Sequence, residues 1–146
     1  MKKVILLFLF IIFPLLVKAD SIVLKLWATD YELPAFFYED ANDSNVMACL
    51  LYYKVKCPKI VLAQGKLESG NFKSNYFLSS NNLFGLKDNK GKYRKFKYWT
   101  QSVKLYTNVI QKRYKPPENY FIFLWRIRYA RDPRYIKKLK HILNND

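Results

Sequence analysis

Proton transfer at neutral pH calls for an imidazole or for a carboxyl whose pKa is raised. This sequence offers one His and eleven Asp and Glu residues for that work. His141 stands in a Lys-rich C-terminal segment and reads as a surface residue. Local structure accounts for most of the carboxylates. Asp132 precedes Pro133 and reads as a helix cap. Glu118 follows Pro116-Pro117 in an expected first helical turn, where the dipole favours its charge. Asp146 is terminal. Asp20, Asp30, Glu32, Glu39, Asp40 and Asp43 crowd into a polar N-terminal stretch. Glu68 and Asp88 remain. Glu68 falls near the C-terminal end of an expected helix, where the dipole disfavours a negative charge. Gln64 lies one turn back on the same face, and Leu67 and Phe72 flank it. Dipole and apolar surroundings both push a carboxyl pKa upward, as a general acid requires. Asp88 opens a turn, where Asp commonly bonds the local backbone. Both carboxylates stay open as candidates on this reading.

Other chemistries find little support. Two cysteines and one His do not make a four-ligand zinc site. A Cys nucleophile needs a His beside it, and His141 lies far along the chain from Cys49 and Cys57. No metal and no cofactor is expected. Cys49 and Cys57 would be about 12 Å apart on one straight helix, too far for a disulfide. Lys56-Cys57-Pro58 ends that helix first, so either a bridge or two partly buried thiols is compatible with the spacing.

The elements that must position Glu68 and Asp88 follow from caps, breakers and period. Ser44 is expected to cap a helix over about 45–55. Pro58 fits the first turn of a second helix, which Gly70 stops after Ser69. Residues 71–83, rich in Asn and Ser, read as a loop. Phe84 to Leu86 and Tyr93 to Tyr98 flank Asp88-Asn89-Lys90-Gly91, the pattern of a hairpin. A third helix is expected from Thr100 to Tyr114, with Val103, Tyr106, Val109 and Ile110 at helical spacing. A fourth opens at Pro116-Pro117-Glu118 and runs to Tyr129. A last one follows Asp132-Pro133 to Leu143. The result is an α+β domain, mostly α, with a small β hairpin lobe.

The chain ends carry a different message. Met1-Lys2-Lys3, the apolar run Val4–Val17 and Val17-Lys18-Ala19 have the layout of a secretory signal peptide over residues 1–19. The run is shorter than the roughly 20 residues of a bilayer span. Residues 20–43 form an acidic arm with the single base Lys25, expected either to fold back on the body or to act as a leader. Residues 44–146 form one domain with 22 Lys and Arg against five acids. A body this basic attracts polyanions. With an export signal, anionic cell-wall polymer or a membrane surface is the expected target, and no nucleic acid is expected. Periplasm, cell envelope or secretion is the expected location, and a monomer the expected state.

Three stretches carry a resemblance. Pro58-Lys-Ile-Val-Leu-Ala-Gln-Gly-Lys-Leu-Glu-Ser-Gly-Asn-Phe-Lys-Ser74 with Asn81-Asn-Leu-Phe-Gly-Leu-Lys87 resembles the pattern P-x-I-V-L-A-Q-x-x-L-E-T-G then N-N-L-F-G-I-K. Phe96 to Tyr106 resembles F-x-x-W/Y-x-x-S-V-x-x-Y, and Tyr129 to Tyr135 resembles Y-A-x-D-P-x-Y. These belong to the glucosaminidase family of peptidoglycan hydrolases, glycoside hydrolase family 73, and cover about residues 45–143. Ser69 replaces the usual Thr, and Leu86 the usual Ile. The resemblance implies a lysozyme-like fold and hydrolysis of β-1,4 bonds after N-acetylglucosamine in peptidoglycan strands. It places the catalytic acid on Glu68 and an active-site tyrosine on Tyr129. It sets Asn82, Phe84 and Gly85 along a cleft.

Gln64, Tyr98, Trp99 and Tyr106, with Tyr93, are further candidates for holding sugar, by hydrogen bonding or by stacking. Some family members have a second Glu on the β lobe. Residues 69–117 here contain no Glu, and Asp88 is their only acid. A single-acid scheme assisted by the substrate's 2-acetamido group is therefore expected ahead of an inverting one with Asp88 as base. A lytic transglycosylase and a non-catalytic basic wall-binding protein are the competing readings.

Overall fold

The helix start and stop signals in this sequence produce six α-helices in a computed structural model that describes residues 33–145. The expected signal peptide and nearly all residues before the Ala35–Phe37 3-10 turn lie outside the described residues. The helices are α1 (Asp43–Tyr52), α2 (Pro58–Ser69), α3 (Asn75–Ser80), α4 (Trp99–Val109), α5 (Tyr120–Arg126) and α6 (Tyr135–Asn145). The residues from Ala35 onward form one unit. Among the described residues no helix is long and apolar enough to cross a membrane.

Helix α2 is the centre of the packing. It lies against α1 and α6, and α1 in turn touches α4. Val46, Leu50, Val61, Leu83, Val103, Phe123 and Leu139 are wholly buried between them. Burial of each such side chain contributes about 1.5–3 kcal/mol. Pro58 opens α2, and Gly70 closes it in the left-handed region at φ 61°, where its N–H returns to Lys66 O. Gly65 lets the loop approach closely, since a Cβ there would sit 3.3 Å from Leu83 Cγ.

Several boundaries differ from expectation for identifiable reasons. Asn42, not Ser44, caps α1, because its Oδ1 accepts from Asn45 N at 2.8 Å. Residues 71–83 hold a short helix, α3, capped by Ser74 Oγ. Phe77 is its one buried apolar residue, too little for a period to be read. Helix α4 gives way to a 3-10 turn over Gln111–Arg113 that turns the Gln111 amide onto the backbone of Lys56. Asn119, not the Pro116-Pro117-Glu118 segment, caps α5. Glu118 instead forks onto Arg126 at the far end of that helix, at 2.8 and 2.7 Å. The chain leaves helical geometry at Arg128, φ 52°, so α5 stops short of Tyr129.

The mostly helical class holds, but the described residues form no strand. The expected hairpin is a loop closed by one isolated antiparallel bridge, Lys87 to Tyr93. Its tip falls at Asp88–Gly91 as expected, with Gly91 N donating to Asp88 O. A ladder does not extend from it because the Asn82 side chain takes the neighbouring groups. Asn82 Nδ2 donates to Leu86 O and Arg94 O, and Asn82 Oδ1 accepts from Leu86 N. Phe96 N is drawn away to Ser80 O. Asn82 is therefore the buried pin of this loop. Asn82→Ala is expected to lower stability by about 1–3 kcal/mol through the orphaned backbone groups, read as a fall in the urea midpoint.

Candidate functional site

Glu68 is half-buried and lines a cavity of about 520 Å³. The last turn of α2 supplies the carboxyl. The loop after α3 supplies Phe84, Gly85 and Leu86, and the turn between α5 and α6 supplies Arg128, Tyr129, Ala130 and Arg131. Gly85 sits at φ 60°, and a Cβ on it would stand 3.4 Å from Glu68 Oε2. A glycine there meets two demands at once, a left-handed backbone and room for the carboxylate. A second cavity, of about 500 Å³, is lined by Trp125, Pro133 and Asp132. Its carboxylate is held by Lys138 Nζ at 2.6 Å and by Arg134 N, which push its pKa down. Of these two cavities, the Glu68 cavity is the one whose carboxyl pKa is raised.

Burial raises the Glu68 pKa, and a hydrogen bond from the Tyr135 hydroxyl works against it without cancelling it. That hydroxyl is the end of a chain that runs through the core. Gln111 Oε1 accepts from Lys56 N at 2.9 Å, and a backbone N–H can only donate. Gln111 Nε2 therefore faces Tyr120 Oη, at 2.6 Å. The Tyr120 hydroxyl is left to donate to Tyr106 Oη at 2.8 Å. Tyr106 donates to Gln64 Oε1 at 2.8 Å, and Gln64 Nε2 donates to Tyr135 Oη at 3.3 Å. Tyr135 then has its own proton free for Glu68. Burial pushes the phenols of Tyr106, Tyr120 and Tyr135 upward, so each stays neutral and able to donate.

Tyr129 is half-buried beside the acid. Its hydroxyl donates to Phe84 O at 3.1 Å, and its ring lies against Tyr106 and Tyr135. Burial raises its pKa, and the nearby Glu68 charge raises it further. It ties the Asn82–Gly85 loop to the segment before α6.

The other expected site residues divide clearly. Phe84, Gly85, Tyr93 and Tyr129 line the Glu68 cavity. Gln64, Asn82, Trp99 and Tyr106 are buried, which corrects the expectation that they touch sugar. Gln64 and Tyr106 are links in the chain to Tyr135, and Asn82 pins the loop. Trp99 donates its Nε1 proton to Glu39 O at 2.9 Å. Tyr98 is exposed but lies just ahead of α4, under Lys97, and does not line the cavity. Asp88 does not line it either, and its Oδ1 accepts from Lys90 N and Lys92 N at 2.8 and 2.9 Å. Cys49 and Cys57 are free thiols. Among the described residues no group of three or more His, Cys, Asp or Glu is placed to hold a metal. Tyr135 and Gln111 were not singled out as site residues from sequence. Tyr135 closes the quoted Tyr129–Tyr135 stretch, which was the signal available for it, and Gln111 left none.

A lone carboxyl of raised pKa in a cleft, beside a neutral phenol, is able to hand a proton to a leaving group. The family is set by sequence. The model of the glucosaminidase family, described as mannosyl-glycoprotein endo-β-N-acetylglucosaminidase, matches residues 48–146, and the chain belongs to that family. It is an endo-β-N-acetylglucosaminidase, a glycoside hydrolase. No curated protein and no solved structure matches it.

Removing the Tyr135 proton donor takes away what favours the Glu68 carboxylate, so its pKa moves further up. Tyr135→Phe is expected to shift the alkaline limb of the kcat/KM profile to higher pH and to lower kcat. A limb unmoved by the substitution would show that the hydroxyl acts on packing alone.

Proposed function

We propose that this enzyme hydrolyses the β-1,4 bond after N-acetylglucosamine in peptidoglycan strands, with Glu68 as the general acid. The observation that carries the reading is the half-buried Glu68 carboxyl, pushed upward by burial in an open cavity and backed only by Tyr135. Protonated Glu68 hands its proton to the leaving glycosidic oxygen. The 2-acetamido oxygen of the substrate attacks the anomeric carbon. The Glu68 carboxylate then takes a proton from the water that opens the cyclic intermediate. Substrate assistance of this kind is an established alternative to two carboxylates. The placement of Asp88, outside the cavity and bonded to its own turn, favours it over an inverting scheme.

The helical body with its small loop lobe, and a cleft between them, agrees with a lysozyme-like fold. Tyr129 keeps the loop lobe registered on the body through Phe84 O. The expected signal peptide supports export to the periplasm, the cell envelope or the medium, where such strands occur. The basic body suits a substrate embedded in anionic wall polymer.

Glu68→Gln is expected to lower turnover of purified peptidoglycan by about 10²–10⁴-fold, the usual contribution of a general acid. Mass spectrometry of wild-type digests should show new reducing N-acetylglucosamine ends. Anhydromuramic ends would instead assign a transglycosylase, and undiminished binding without cleavage a wall-binding protein. The same substitution bears on stability. A folded-state pKa above the unfolded one destabilises the protein as pH rises through the window between them. Glu68→Gln should therefore raise Tm at neutral pH and leave it nearly unchanged near pH 4.

A further inference from the structure

Four cations line the Glu68 cavity, Lys87, Arg113, Arg128 and Arg131, and Glu68 is its only acid. The other acids of the surrounding elements are committed elsewhere. Glu118 forks onto Arg126, Asp132 holds Lys138 and Arg134, Asp43 holds Lys66, and Asp88 serves its own turn. Lys87 lies over the Tyr93 ring at 4.5 Å. The side chains of Arg113, Arg128 and Arg131 have no ion pair and no hydrogen bond among the described residues. They do not serve the acid either. Glu68 forms no ion pair with any of them among the described residues. Three unpaired guanidiniums on the wall of one cleft focus a positive field on whatever enters it.

Arg128 adds a second observation. It stands at φ 52° directly after α5, a backbone conformation that favours Gly or Asn. Conformations of this kind cluster at active sites and ligand clamps. The turn places this residue on the cavity wall with Arg131 three positions on.

We propose that Arg113, Arg128 and Arg131 form a carboxylate-binding rim that selects glycan strands bearing acidic arms next to the cleaved bond. The inference rests on the glycosidase reading of Glu68. The guanidinium fork matches a carboxylate in two parallel hydrogen bonds. Neutral N-acetylglucosamine has no group for it. The carboxylates belong to the muramic acid side of the substrate, either its free lactyl group or its peptide stem.

The full chain is assayed on four substrates free of phosphate polymer. These are intact peptidoglycan, strands stripped of peptide, and each of these with its carboxyls converted to neutral amides. Wild type should show a KM on the amidated forms raised about tenfold, with kcat nearly unchanged. Whichever unamidated form keeps the lower KM identifies the lactyl or the stem carboxylate. The triple variant Arg113→Gln, Arg128→Gln, Arg131→Gln should show the same raised KM on all four. Lys59→Gln, Lys73→Gln, Lys104→Gln, which removes equal charge away from the cavity, should retain the wild-type preference. Arg128→Gly keeps the backbone at ease, so it should hold or raise Tm while still raising KM on charged strands. Equal KM on charged and amidated strands with cleavage intact would overturn the rim and leave the glycosidase standing. No cleavage of any form would overturn both.

Discussion

The approach of the Tyr135 hydroxyl to Glu68 is where the interior of this protein meets its chemistry. Its direction is decided some distance away, at the backbone N–H of Lys56. That group can only donate, so it fixes the Gln111 amide. The amide fixes Tyr120, Tyr120 fixes Tyr106, Tyr106 fixes Gln64, and Gln64 fixes Tyr135. Each link has one consistent donor and one acceptor, and the phenols are held neutral by burial. A chain of this kind specifies a single arrangement, because reversing any one link leaves a buried polar atom unpaired at about 1–3 kcal/mol. Helices α2, α4, α5 and α6 each contribute at least one member. The packing of the body and the aim of the acid are thus the same constraint.

Two opposing effects act on Glu68, and their balance suits an acid. Burial disfavours the ionised form, while one neutral donor favours it. Burial is the larger. A cation in place of Tyr135 would have reversed the outcome, since an opposite charge within about 4–6 Å lowers a carboxyl pKa by 1–3. A phenol restrains the side chain without that penalty. Gly85 completes the arrangement by bringing backbone to the carboxylate with no side chain to displace it.

Much of this was legible in the sequence, and what was not has physical reasons. Glu68 and Asp88 were left once the other acids had local explanations, and the turn read for Asp88 is present in the structure, whereas Asp132 bonds Arg134 N ahead of α6 instead of capping it. Pro58 and Gly70 bounded α2 correctly, since both act through the backbone of a single residue. The short α3 escaped because six residues with one buried ring give no period. The hairpin was over-read: its turn was visible in Asp88–Gly91, but the competing bonds of the Asn82 side chain were not. Gln64 and Tyr106 were expected to hold sugar, and the structure buries both in the hydrogen-bonded core. Their types suit sugar binding and core networks equally, and only burial separates the two. Gln111 was invisible because its importance comes from a partner 55 positions away in the chain.

The basic composition also gains a limit from the structure. A cationic body draws in an acidic polymer, but cations close to Glu68 would keep it ionised and unable to give up a proton. The two needs are compatible only if the charges sit on the walls of the cleft, near enough to meet a substrate and far enough to leave the acid alone. The observed arrangement satisfies this. Arg113, Arg128 and Arg131 line the cavity with Glu68, and burial nonetheless raises the carboxyl pKa. The chain from Lys56 to Tyr135 passes through no charged side chain, so the contact it brings to Glu68 is a neutral hydroxyl.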